Sequence, residues 1–372
     1  MLQHVLKFWI NYATDVPRAA VGDAGKQNGA RSVRANYMSN VLAQLLNDRD
    51  WLLCDGAMGT SLFQRGLETG EAPDLWNISN PEKVMSVHQG FVDAGADIIL
   101  TNSFGANALR LQLHGDQDRV HEINAAAAQL ARRVADQQDR PVVVAGSMGP
   151  TGEIMEPVGV LSDAEAQKVF AEQAVALAEG GADVIWIETM SSKEEYAAAA
   201  HGAAQCGLPV VGCMTFDTNG RTMMGVTPED ASTFAQSLSP SLLAYGCNCG
   251  VGPATLIDTV LGLKRLAGAD DVIVAKGNCG IPEYKDDEIA YSGSPEIMAT
   301  YARLARDAGA RIIGGCCGTT EIHLAAIKQA LDGYQPGSPP ERSKIEATLG
   351  PVDQPKPVDP NAPERPKRRR RK

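Results

Sequence analysis

DAGAD at 93–97, EGGAD at 179–183 and DAGAR at 307–311 are one phrase written three times. Each copy closes a stretch of helical spacing and opens a short apolar run: Asp97 leads into IILT, Asp183 into VIWIE and Arg311 into IIGG. A glycine at the end of a helix takes the left-handed backbone that turns the chain out of it, so the phrase marks a helix-to-strand turn. The same alternation extends outward from these copies and gives eight strands, at 51–55, 97–101, 142–146, 183–188, 209–215, 242–248, 272–276 and 311–314. They lack the polar alternation of a sheet with one wet face, so both faces are expected to be buried. Each precedes an amphipathic stretch, such as 164–178 or 295–308. A barrel of this kind usually takes about 250 to 300 residues, and eight strand-helix units suit it better than an open doubly wound sheet. The expected fold class is α/β, a single (β/α)8 TIM barrel over 45–335 with disordered N- and C-terminal tails.

Both ends differ from this middle. Residues 1–37 turn Ala- and Gly-rich after MLQHVLKFWI and read as a non-core extension, a poor signal peptide because Lys7 breaks its apolar run. A helix-like segment, MSNVLAQLLNDRDW, begins at Met38 and leads into the first strand. Residues 336–372 are Pro-rich and then basic, which predicts a disordered tail that solubilises or tethers. The last twelve residues carry a local net of +6 within a chain of net −11, which leaves −17 for residues 1–360. An acidic body repels phosphate backbones, so no nucleic acid is expected as a partner. Charges interrupt every apolar stretch before the ~20 residues a bilayer span needs, so no membrane partner is expected either. The eight cysteines are sparse and include an adjacent pair, unlike a secreted disulfide framework, so reduced thiols in the cytoplasm are expected.

Active sites of such barrels lie on the loops after the strands. Those loops read CDGAMGT (54–60), TNSFG (101–105), GSMGPTGE (146–153), IETMSS (187–192), GCNCG (246–250), GNCGIP (277–282) and GGCCGT (314–319). Cysteines gather at three of them. Alternate strands share a layer inside a barrel, so Cys249 and the pair Cys316 and Cys317 can converge. Neighbouring strand residues face opposite ways, and the pair can share one ion only where the chain leaves strand geometry, which Gly314, Gly315 and Gly318 permit. Three thiolates suit Zn²⁺ and leave a fourth position for a substrate, the arrangement of a catalytic zinc. Two alternatives stand beside it: buried cysteines that merely pack, or Cys279 closing a structural four-sulfur shell.

DGAMGT, TNSF, the ET after the fourth strand, the Asn-Cys of the sixth and GGCCG together resemble the homocysteine S-methyltransferase family, across about residues 50–331. The resemblance is nearest to its bacterial betaine-homocysteine members. It implies a zinc-dependent enzyme that methylates homocysteine to methionine, with Cys249, Cys316 and Cys317 as the metal ligands. Asp55 and Glu188 would be the catalytic carboxylates and take the substrate ammonium, with Thr101 and the Gly56 backbone completing the pocket. A homo-oligomer is expected by the same analogy. The methyl donor implied is a small cation, betaine, with Trp76 and Phe104 as aromatic walls. Gly105 and Thr189 stand where vertebrate-type betaine enzymes carry tyrosines, which leaves half of that cage to other residues. A sulfonium such as S-methylmethionine fits the same logic. So does a split cobalamin-dependent methionine synthase in which this chain supplies only the homocysteine site. The non-enzymatic alternative is a structural-zinc barrel or a thiol sensor.

Overall fold

The computed structural model describes residues 40–280, 282–285 and 288–353. Eight parallel strands form one sheet: β1 Leu52–Leu53, β2 Ile98–Leu100, β3 Val143–Met148, β4 Val184–Met190, β5 Val210–Met214, β6 Ala244–Cys249, β7 Ile273–Gly277 and, after an inserted hairpin, β10 Ala310–Gly315. Their order is β1-β10-β7-β6-β5-β4-β3-β2. A Cys54 to Ile98 bridge joins the two outer strands, with Asp97 N donating to Leu53 O (2.7 Å) and Asp55 N to Ile98 O (3.0 Å), and the sheet becomes a barrel. The expected eight strands are all present.

The repeated phrase works as its glycines predict. Gly95, Gly181 and Gly309 have φ of 101°, 103° and 98°, a conformation that a side chain resists. The aspartates that follow secure the barrel floor. Asp97 accepts from Leu53 N (3.0 Å) and pairs with Arg49, and Asp183 accepts from Val144 N (2.8 Å) and pairs with Arg132. In the third copy the polarity is reversed: Arg311 donates to the carbonyls of Arg49 (2.8 Å) and Asp50 (3.1 Å).

Alternation along each strand divides the apolar side chains between two cores. Leu52, Ile98, Val143, Val184, Val211, Val274 and Ile312 fill the barrel, while Leu53, Ile99, Val144, Ile185, Ile273 and Ile313 pack against the surrounding helices. That double burial explains runs with no polar positions. The helix Val41–Asp48, N-capped by Asn40, adds Leu42, Leu45 and Leu46 to the inner core and stops the lower end of the barrel. Among the described residues the inner core thus includes Leu42 and Ala43, ahead of the expected 45.

Two segments depart from expectation. The loop after β7 carries an antiparallel hairpin, β8 Pro282–Lys285 with β9 Glu288–Tyr291. The expected disordered tail from 336 is corrected over its first part: a helix, Arg342–Leu349, packs on the helices Pro253–Leu266 and Pro295–Asp307. Ile345 is wholly buried, and Asp353 N donates to Thr255 Oγ1 (2.9 Å). Eight residues this polar hold no helix by propensity; docking Ile345 and Val352 orders them. Residues 1–39 and 354–372, where the remaining tail expectations fall, lie outside the described residues.

Candidate metal and substrate site

Three strand ends meet at the upper mouth. Cys249 ends β6 with φ of 62°, outside strand geometry, so its thiol swings off the sheet. Beyond β10 the chain turns sharply: Cys316 N donates to Gly277 O (2.7 Å), and Thr319 N donates back to Cys316 O (3.0 Å). Gly318, at φ of 78°, lies so close to the Tyr291 ring that a Cβ there would stand 2.4 Å from it. These departures let both members of the pair face one point. The Sγ atoms of Cys249, Cys316 and Cys317 lie within 4.8 Å of one another, all partly exposed. Three sulfurs held ~2.3 Å from one tetrahedral ion stand about 3.8 Å apart, so the donor set fits a borderline-soft divalent cation. Cys279 is outside the cluster: its thiol donates to Gly293 O (3.1 Å), which removes the four-sulfur alternative in this geometry. Tyr291, from the hairpin after β7, stands beside Cys317.

Below the thiols lies a layer of inward polar side chains. Glu188 continues the inner face of β4 from Val184 and Trp186, accepts from Ser147 Oγ (2.5 Å) and faces Asn248 Nδ2 at 3.5 Å. Burial raises its pKa, opposed by Lys276 and the Ser147 hydroxyl. Asn248 ties this layer to the thiols. Its amide donates to Thr189 Oγ1 (2.8 Å), accepts from Thr189 N (2.8 Å) and lies 3.9 Å from Cys316 Sγ.

Asp55 stands across the barrel with both oxygens engaged, one by Leu100 N (2.7 Å) and one by Lys276 Nζ (2.6 Å). Lys276 is 2% exposed. Burial opposes its charge, but Asp55, Cys54 and Glu188 outweigh that and hold its pKa well above the ordinary value. Its signal in the sequence was a lone cation ending the apolar run VIVAKG.

The other expected residues sit variously. Thr101 Oγ1 accepts from Ser147 N (2.9 Å) and bonds the Ser103 hydroxyl (2.6 Å). Gly56 lies where a Cβ would stand 2.4 Å from Thr319 O, which packs the first loop against the last. Phe104 is half-exposed over Gly149 at the rim. Trp76 is buried in the helix-side core, with Lys83 Nζ 4.5 Å from its ring centroid. One face of the expected aromatic wall is already held by the chain's own ammonium. Beside Thr189 opens a cleft of about 700 Å³, lined by Glu153, Glu156, Glu194, Glu195, Asp217 and Asp230 against the single cation Lys193, with Met223 and Met224 at its edge.

A family model described as homocysteine S-methyltransferase matches residues 52–331. Among curated proteins, the chain is 30% identical over 295 residues to a methionine synthase of Mycobacterium tuberculosis and 30% identical over 304 residues to that of Mycobacterium leprae. The matches cover 74% and 76% of this chain but 24% and 25% of those proteins, so the chain spans about a quarter of their length. Among solved structures, the metallated homocysteine methyltransferase MmuM of Escherichia coli superposes with a TM-score of 0.65 at 27% identity, covering 77% of this chain and 99% of that one. Its oxidized form gives 0.64 at 28% identity, covering 77% and 97%.

Proposed function

The chain belongs to the homocysteine S-methyltransferase family, and from that membership we propose zinc-dependent transfer of a methyl group from a small cationic donor, betaine, to the thiol of homocysteine, giving methionine and dimethylglycine. The observation that carries the reading is the meeting of three thiols, one ending β6 and two from the turn after β10, above a layer of buried polar side chains. Cys249, Cys316 and Cys317 would hold the ion, which would deprotonate them on binding, and three protein ligands would leave room on it for a substrate thiol. A thiol coordinated there loses its proton yet stays nucleophilic.

The protein's own residues position the reactants. Glu188 takes the substrate ammonium through its less engaged oxygen, with Asp55 supplying the second negative charge of the pocket and Thr101 and Gly56 its wall. The homocysteine sulfur then attacks a methyl carbon of betaine in line, the carbon–nitrogen bond breaks, and its electron pair stays on dimethylglycine nitrogen. Once the thiolate is formed, no general base is needed. The acidic cleft beside Thr189 attracts the positive end of the donor, and the exposed Phe104 ring over Gly149 is an aromatic face available to it.

The test is a competition assay of the zinc-loaded protein, offering homocysteine with betaine, S-methylmethionine, dimethylsulfoniopropionate and methylfolate, scored by methionine formed. Betaine turnover supports the reading. Turnover of a sulfonium alone moves the donor to that class, and turnover only with added cobalamin modules moves the chain to a split methionine synthase. Phe104→Ala should raise the KM for the cationic donor about 3- to 30-fold while leaving that for homocysteine within twofold.

A further inference from the structure

The acidic cleft beside Thr189 holds more negative charge than one small cation balances. The carboxylates of Glu153, Glu156, Glu194, Asp217 and Asp230 are exposed, and among the described residues none of the five is in an ion pair. Glu195, only 5% exposed, lines the same cleft. One of its oxygens accepts from Thr151 N (2.8 Å) and Oγ1 (2.7 Å), and the other meets no donor among the described residues. A buried carboxylate with no cation beside it is an uncompensated charge. The cleft is therefore shaped for positive charge brought from elsewhere.

The chain carries that complement. The described residues end at Asp353, and Asp353 is held at the edge of this cleft. Its Oδ2 accepts from Asn219 N (2.9 Å), two positions beyond the cleft residue Asp217, in the loop that also carries Met223 and Met224. The sequence goes on through 354–372, where seven of the eight positions at 365–372 are Arg or Lys. The stretch from Asp353 to Arg365 spans at most about 40 Å, ample for a cleft that opens beside its anchor. We propose that the basic block 365–372 docks in the acidic cleft of its own chain and covers it against the cationic methyl donor. The docking stands on charge and tethering, whereas the competition with a donor rests on the function proposed above. So short a tether holds the block at a local concentration of order mM, and ion pairs that are individually weak then act together. Met223 and Met224, 69% and 47% exposed, suit the methylene stems of Arg and Lys.

Cross-linking and kinetics on the zinc-loaded full chain test this. Lys193 lines the cleft, and Lys367 and Lys372 lie in the block, so an amine-to-amine reagent should join Lys193 to either of them, as read by peptide mass spectrometry. With Arg365, Arg368, Arg369, Arg370 and Arg371 all changed to Gln, every reactive amine remains, yet the yield of those links should fall at least about fivefold. Glu153→Gln, Glu156→Gln and Glu194→Gln combined should lower it likewise from the other side. A cleft covered for roughly two-thirds to nine-tenths of the time raises an apparent binding constant about 3- to 10-fold. The variant without the five arginines should therefore show a KM for betaine lowered by that factor, with kcat and the KM for homocysteine within twofold. The proposal is overturned if Lys367 and Lys372 link only to other lysines or to none, or if links to Lys193 form only between isotopically light and heavy chains in a mixed sample. It is overturned equally if that variant turns over betaine with an unchanged KM. If no form of the protein uses betaine, the proposed donor fails, and the docking still stands or falls on the links to Lys193 and their loss in the two variants.

Discussion

Cys316 and Cys317 must share one ion although they are neighbours, so neither has a substitute. Cys316→Ser or Cys317→Ser is expected to lower bound zinc from one equivalent to below about 0.2 by plasma emission, with methionine formation lost in parallel. A second residue reports on stability. His88 is wholly buried with neither ring nitrogen hydrogen-bonded among the described residues, and burial pushes its pKa down to about 4. The unfolded chain binds that proton near 6.5 and the folded chain does not, so the folded state is favoured above pH 6.5 and loses that advantage as pH falls toward 4. The loss is about 3 kcal/mol, and denaturant titrations of His88→Leu should show a correspondingly flatter decline between pH 6.5 and 4 than wild type. The two kinds of residue differed in how readable they were. Adjacent thiols among glycines announce themselves, because ordinary packing has no use for them. Lys276 was passed over because one cation in an apolar run looks like the end of a strand, and only the closed sheet brings it to Asp55 from 221 positions away.

At the level of elements, strands were legible because both faces are buried and their turns repeat, whereas the helix Arg342–Leu349 was not. Its order comes from tertiary docking of Ile345, which no local pattern encodes. Ile345→Ala should remove about 2 to 4 kcal/mol of that docking. Hydrogen exchange is expected to accelerate across 342–353 while the strands stay protected, since the segment opens as a local unit. An unaltered exchange pattern would mean that the helix is held by something else. The hairpin β8–β9 escaped the sequence reading for a similar reason: a four-residue strand paired only with its neighbour leaves little periodicity to detect. Tyr291, its last residue, nonetheless stands beside Cys317, so an insertion that looked like loop contributes to the metal site.

For the molecule as a whole, no described helix is long and apolar enough to cross a membrane. The barrel is stopped below by the side chains of Leu42, Leu45 and Leu46 and open above, where the thiols stand. A vessel with one door imposes an itinerary. Under the proposed function, the molecule that reaches the polar floor passes the threshold before the methyl carrier and cannot depart until the spent carrier has moved aside. Initial-velocity data should therefore show compulsory order: an inert donor mimic uncompetitive toward homocysteine, and an inert homocysteine mimic competitive toward homocysteine but noncompetitive toward the donor. The plug at the bottom thus sets the queue at the top.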